Sequence, residues 1–131
     1  NRQRFRLILL IPFLILLLSP IMSAASATAA KKLVDELIAK NAVMVFSKSY
    51  CPYCAKAKNA LSNYQLKSYK VLELDERDDC DAIQDYLGQL TGARSVPRVF
   101  VGGKFIGGGD DTVAAHTKGT LKQMLEDAKA L

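Results

Sequence analysis

Two cysteines three residues apart, Cys51-Pro52-Tyr53-Cys54, stand between a short apolar run, Val43-Met44-Val45-Phe46, and a stretch of helical character from Ala55 to Tyr64. A strand that feeds a helix at such a pair is the arrangement of a redox motif. The first sulfur falls at the helix N-terminus, where unpaired amide donors and the macrodipole favour negative charge. The second lies one turn further on and can reach the first, so the pair can undergo reversible thiol–disulfide exchange. Pro52 suits the first turn, where its missing N–H has no partner to lose.

The rest of the chain supplies elements around this β–α junction. Leu33, Val34, Leu37 and Ile38 recur at helical spacing between Lys31 and Lys40, and Asn41 ends that helix. In the helix after the cysteines, Cys54, Ala57, Leu61 and Tyr64 share one face. Tyr69 to Leu74 reads as a second strand. Asp78 or Asp79 caps a third helix through Ile83, Tyr86, Leu87 and Leu90, which stops at Gly92. Gly102-Gly103 between Val99-Phe100-Val101 and Lys104-Phe105-Ile106 is a hairpin signal. Asp110-Asp111 opens a last helical region, interrupted at Gly119, with Thr120 capping the part from Leu121 to Ala130. The order α-β-α-β-α-β-β-α implies an α/β domain. Its four-stranded mixed sheet has two parallel strands, joined by a right-handed crossover, and an antiparallel hairpin, with helices on both faces.

At 131 residues the chain holds one domain, not two. Residues 1–28 stand apart from it. A basic stretch, Asn1 to Arg6, precedes the almost wholly apolar Leu7 to Leu18. The small residues Ser23 to Ala30 follow, with Ala25-Ser26-Ala27 and Ala27-Thr28-Ala29 as candidate cleavage triplets. These are the parts of a secretory signal peptide. Leu7 to Met22 is shorter than the roughly 20 apolar residues a spanning helix needs, so a retained anchor is the second reading. The expected division is therefore 1–28 as signal or anchor and 29–131 as the domain, with a location in the secretory pathway. A cytoplasmic location follows if residues 1–28 are foreign to the native protein. The net charge of +5 owes three charges to Arg2, Arg4 and Arg6; beyond residue 27, 15 basic residues face 13 acidic ones. That balance carries no nucleic-acid footprint.

Three segments together resemble the dithiol glutaredoxins of the thioredoxin superfamily. They are Phe46-Ser47-Lys48-Ser49-Tyr50-Cys51-Pro52-Tyr53-Cys54, then Leu90 to Phe100 with Val96-Pro97, then Ile106-Gly107-Gly108-Gly109-Asp110-Asp111. The resemblance covers essentially the whole of Lys31 to Leu131. It implies a thioredoxin-like fold and a glutathione-dependent thiol–disulfide oxidoreductase, with glutathione as co-substrate and no metal. Glutathionylated proteins and protein disulfides would be its other substrates, and the protein would be a monomer. Cys51 would attack the mixed disulfide and become glutathionylated, and a second glutathione would release it. Cys54 would resolve protein disulfides. Lys48 and Gln84 would meet the glycine carboxylate of glutathione, and Tyr53 would pack along the tripeptide. Val96, before a cis Pro97, would pair with the cysteinyl backbone, as an added strand does. Gly109, Asp110 and Asp111 would receive the γ-glutamyl end, Asp111 through the α-ammonium. Ser95 keeps the hydroxyl of the Thr usual in the family. Asp110 stands where the family often has a hydroxyl residue, and its charge is expected to weaken binding of an anionic tripeptide.

Other functions leave different marks. Cys51, Cys54, Cys80 and His116 could be counted as a Cys₃His zinc set, but the last two lack ligand spacing. Cys80, near a helix start, reads as an inert or regulatory thiol. A glutathione-ligated iron–sulfur module is a further alternative within the family, against which Pro52 and Tyr53 speak, because cluster-binding members tend to carry a Gly-containing motif. A secretory disulfide oxidase or isomerase would suit the oxidising compartment but has no need of glutathione-site residues. Gly102 to Gly109 lacks the Gly-Lys-Ser/Thr of a phosphate loop.

Overall fold

The structure is a computed structural model and describes residues 24–131. The apolar run Leu7 to Met22 lies outside the described residues. Within them, α1 spans residues 24–40, followed by β1 (Val43–Ser47), α2 (Pro52–Leu61) and β2 (Tyr69–Glu73). A 3₁₀ turn (Leu74–Glu76) leads to α3 (Cys80–Thr91), the hairpin β3 (Arg98–Val101) and β4 (Lys104–Gly107), then α4 (Gly109–Lys118) and α5 (Thr120–Asp127). Among the described residues no helix is long and apolar enough to cross a membrane.

The strands form one mixed sheet in the order β2-β1-β3-β4. β1 runs parallel to β2 and antiparallel to β3, and β3 pairs antiparallel with β4. Every residue of β1 is buried, the pattern of a strand covered on both faces. Alternation then divides the core in two. Val43, Val45, Val99 and Val101 face α2, α4 and α5 and pack with Ala57, Leu61, Ala115, Leu121 and Leu125. Met44, Phe46 and Phe100 face α1 and α3 and pack with Val34, Leu74, Ile83 and Leu87. Each such side chain withdrawn from water contributes about 1.5–3 kcal/mol. Helices therefore cover both faces, as the chain order requires.

Element ends differ from the sequence pattern for local reasons. α1 starts before Lys31 and runs across the expected boundary at residue 28, through both cleavage triplets. Alanine is the best helix former, and Ala30 is buried against the α3 side. α2 stops at Leu61, three residues short of Tyr64. Ser62 and Asn63 turn their side chains onto the Asn59 and Ala60 carbonyls, which competes with helix continuation. Asp79 occupies the N-cap position of α3, but its carboxylate binds Arg77 and caps nothing. Thr120 does not cap α5 either. Gly119 is the N-cap, and the Thr120 hydroxyl donates back to the Ala115 carbonyl at 3.2 Å.

The hairpin turn places Gly102 at φ 59° and Gly103 at φ 79°, the paired positive angles of a type I′ turn. A Cβ on Gly103 would meet nothing within 4 Å. Gly103→Ala is therefore expected to cost backbone conformation alone, roughly 1–2 kcal/mol. Urea unfolding measures it, and an unchanged midpoint would show that the turn relaxes freely.

Candidate active site

The end of β1 and the start of α2 meet at the cysteines. Cys51 is the N-cap of α2, in extended backbone conformation, and its sulfur accepts the Cys54 N–H at 3.3 Å. A thiol or thiolate thus takes the place that a Ser or Asp oxygen usually fills. Cys51 is half-buried, and its Sγ also lies 3.7 Å from the Val96 carbonyl oxygen. The Val96–Pro97 peptide is cis. Cys54 is completely buried. Its sulfur accepts the Lys48 N–H at 3.5 Å. Burial pushes the Cys54 thiol up, and the Cys51 side chain adds to the rise, while the Lys48 amide and the Ser47 hydroxyl act the other way. One sulfur is open to an incoming disulfide and the other is withheld behind it. Both are free thiols.

The loop that carries Lys48 is tied down by Asp75. The Asp75 carboxylate accepts the Ser49 N–H at 2.9 Å and is also hydrogen-bonded by the Ser49 hydroxyl. Lys48 adds a favourable charge nearby. Tyr50 and Tyr53 flank Cys51 and are 71% and 53% exposed, which leaves both rings free to cover a ligand. The Lys56 ammonium stands 4.9 Å from the centre of the Tyr53 ring and 3.8 Å from Asp110.

On the far side of Cys51 the N-terminus of α4 approaches α2. Gly109 is buried there, and a Cβ on it would stand 2.5 Å from the Tyr53 carbonyl oxygen. Gly108 is the N-cap of α4, and its N–H donates to Asp111 Oδ2 at 2.9 Å. Asp111 therefore braces the helix start with one oxygen, while the exposed Asp110 faces Lys56.

These contacts sort the residues singled out from sequence. Lys48, Cys51, Tyr53, Cys54 and Val96 gather at the junction of β1, α2 and the Pro97 loop, and Gly109, Asp110 and Asp111 line the adjoining end of α4. Gln84 is placed differently. Its side chain is buried below the loop, donating to the Arg94 carbonyl at 2.9 Å and accepting from the Cys80 thiol at 3.4 Å. It holds the loop that precedes Pro97. His116 pairs with the Tyr64 hydroxyl at 2.7 Å, between α4 and the end of α2. Among the described residues no three or more His, Cys, Asp or Glu side chains gather as a metal site.

The family model described as Glutaredoxin matches residues 43–106, from β1 through β4. A glutaredoxin of Ricinus communis is 51% identical over 96 residues, which cover 73% of this chain and 93% of that protein. The chain belongs to the glutaredoxin family. Glutaredoxin-C4 of Arabidopsis thaliana is 44% identical over 119 residues, covering 91% and 87% of the two chains. Among solved structures, oxidised glutaredoxin 2 from Chlamydomonas reinhardtii superposes with a TM-score of 0.77 at 54% identity, covering 80% of this chain and 98% of that one. A buckwheat glutaredoxin in complex with glutathione gives a TM-score of 0.77 at 40% identity, covering 82% and 96%.

Sequence reasoning about this glutaredoxin missed Asp75 and Ser47. Asp75 belongs to no motif, and Ser47, although inside the segment that carries the cysteines, has no assigned role there. Asp75 lies 26 residues from Ser49, and no local pattern links them. Ser47 could have been found by parity, since it shares a sheet face with Val43 and Val45, the face that α2 covers.

Asp75 generates a test of the loop. The Ser49 hydroxyl, then its amide, hold the Asp75 carboxyl below the usual carboxylate range. A lowered folded-state value means that this contact is fully present at neutral pH and is lost as pH falls through that value. Asp75→Ala, which removes the acceptor oxygens, is expected to remove the hydrogen-exchange protection of the Ser49 amide at neutral pH. The unsubstituted protein should lose it only in acid. Equal protection at neutral pH would show that something else holds the loop.

Proposed function

We propose that this glutaredoxin reduces glutathione mixed disulfides and protein disulfides, with Cys51 as nucleophile and Cys54 as resolving thiol. The observation that carries this assignment is the asymmetry of the pair: an accessible sulfur at a helix N-cap, supported by the Cys54 amide, with a buried sulfur one turn behind it. The Cys54 amide, which donates to the Cys51 sulfur, supports that sulfur as it attacks and as it leaves. Cys51 attacks the glutathione sulfur of a mixed disulfide, and the substrate thiol departs. Free glutathione then attacks the Cys51–glutathione bond and restores Cys51. With a protein disulfide, Cys54 attacks Cys51 instead and closes an internal disulfide, which two glutathiones reduce in turn.

The surroundings suit a γ-glutamyl-cysteinyl-glycine tripeptide laid across Cys51. The cysteinyl backbone would pair with Val96, whose carbonyl already points to the Cys51 sulfur, with Pro97 shaping the loop. The half-buried Lys48 would meet the glycine carboxylate, and Gln84 would act by holding the loop from below. The first turn of α4, with Gly109 packed on α2, would receive the α-carboxylate of the γ-glutamyl group on its free amides. The Asp111 oxygen not used for capping would take the α-ammonium, and Lys56 offsets the charge of Asp110. Tyr53 would cover the tripeptide. The protein acts as a monomer in this scheme. The basic, apolar and small-residue order of residues 1–28 supports delivery to the secretory pathway, which cell fractionation of the full chain would test.

A coupled assay with a glutathione mixed disulfide, glutathione, glutathione reductase and NADPH tests the mechanism. Cys51→Ser is expected to abolish turnover. Cys54→Ser should retain it while losing reduction of protein disulfides. Loss of mixed-disulfide turnover in Cys54→Ser would refute the one-thiol route. Lys48→Ala should raise the KM for glutathione roughly fivefold, the ~1 kcal/mol upper range of an exposed ion pair, with kcat changed less. An unchanged KM would remove Lys48 from the binding site.

A further inference from the structure

Cys80 takes no part in the dithiol chemistry, yet it stands beneath the loop that shapes the site. The Val96 carbonyl oxygen lies 3.7 Å from the Cys51 sulfur. The three residues before Val96 have their carbonyls held one by one. The Thr91 hydroxyl donates to the Ala93 carbonyl at 3.2 Å, Gln84 Nε2 to the Arg94 carbonyl at 2.9 Å and Arg98 Nε to the Ser95 carbonyl at 2.6 Å. Arg98 also reaches the Ser95 hydroxyl at 2.7 Å. Of these three side chains only Gln84 belongs to a buried residue, 8% exposed.

A buried amide has two ends to satisfy. A carbonyl oxygen cannot donate, so the end of Gln84 that faces Arg94 must be the nitrogen. Its oxygen then points the other way and needs a donor. Cys80 is four residues earlier on α3 and shares that helix face. Its thiol donates to Gln84 Oε1 at 3.4 Å. No other hydrogen bond reaches that oxygen among the described residues. A flipped amide would set oxygen against oxygen at Arg94, so the S–H donor and the Arg94 carbonyl agree on one orientation. Sulfur suits the place for a second reason. Cys80 is half-buried and packs at the margin of the core that holds Leu74, Ile83 and Leu87. A free cysteine serves there as a small apolar side chain that still carries a weak donor.

We propose that Cys80 is a positioning residue for glutathione. Its thiol fixes the Gln84 amide, the amide holds the Arg94 carbonyl, and that tie sets the Val96 backbone two residues on. Cys80 itself touches no substrate. The effect falls on binding, because the two reacting sulfurs are carried by α2 and by the residue that caps it, outside this line of contacts. Cys80→Ala leaves Gln84 Oε1 buried without a donor, which frees the amide to turn and the loop to shift.

The proposal rests on the reading of Val96 as the backbone that receives glutathione, and two readouts on the full-length protein keep them apart. The first is NMR hydrogen exchange of the Gln84 side-chain amide, which needs no substrate. The second is the KM for glutathione in the coupled assay. Cys80→Ala is expected to speed exchange of the amide and to raise the KM about fivefold, the net effect of one ordinary hydrogen bond. The kcat should stay within about twofold. Cys80→Val, which keeps apolar bulk but has no donor, should behave in the same way. Cys80→Ser, which keeps a donor, should restore both readouts to within about twofold. In a Gln84→Met background, Cys80→Ala should add nothing further to the KM, as expected of two residues that act in series.

An unchanged Gln84 amide in both Cys80→Ala and Cys80→Val would overturn the proposal. So would a mobile amide with an unchanged KM, or failure of Cys80→Ser to restore either readout. An equal rise in KM with and without Gln84 would also overturn it, since Cys80 would then act through packing alone. Absence of glutathione-dependent turnover in the unsubstituted protein would instead overturn the functional reading beneath it, and the amide exchange would judge the Cys80–Gln84 link by itself.

Discussion

β1 hydrogen-bonds along both edges, to β2 in parallel and to β3 in antiparallel, and is buried on both faces. Its backbone groups have no water to turn to, so its register is fixed from two sides. An unmade hydrogen bond there would cost about 1–3 kcal/mol. The active-site loop is the direct continuation of this strand. Lys48 follows its last residue, and the Lys48 amide lies on the Cys54 sulfur. The position of the cysteines is thus inherited from the most rigid element of the fold, in the way that precise sites sit best on regular structure.

The two cysteines are chemically alike in sequence and unlike in place. A helix N-cap is a position for an acceptor, and Cys51 fills it with sulfur. The residue three positions on faces inward with Ala57 and Leu61, and Cys54 is therefore sealed by the same packing that binds α2 to the sheet. The division of labour between an attacking and a withheld thiol follows from one turn of helix set against one face of a sheet. Val96 completes the site from the opposite side. It reaches Cys51 because β3 pairs with β1, and Gln84 holds the stretch before it through the Arg94 carbonyl.

Much of this was legible in the residues. The apolar spacing located α1, α2 and α3, the Asp110-Asp111 pair and Gly119 located α4 and α5, the Gly-Gly pair located the hairpin, and the order of elements gave the mixed sheet with helices on both faces. What escaped was where side chains compete with one another. Asp79 could cap α3 or bind Arg77, and only the geometry of Arg77 decides for the ion pair. Thr120 could cap α5 or bond backward, and the Ala115 carbonyl lies within reach. Gln84, on an exposed-looking helical position, could have faced a ligand, but α3 packs so that its amide meets the Arg94 carbonyl and Cys80.

The sequence alone determined the chemistry available: two thiols one helical turn apart at a strand–helix junction, a proline before the hairpin, and glycines where the turn needs positive φ. Those properties are local, set by spacing of a few residues and by backbone sterics. The tertiary structure decided which groups share a volume. Ser47 and Glu73 are 26 residues apart, as are Ser49 and Asp75, and Cys51 and Val96 are separated by 45. Ser47 and Glu73 share a face through strand register, since a one-residue slip would turn either to the opposite side. The other two pairs are brought together by the segments that continue from these paired strands.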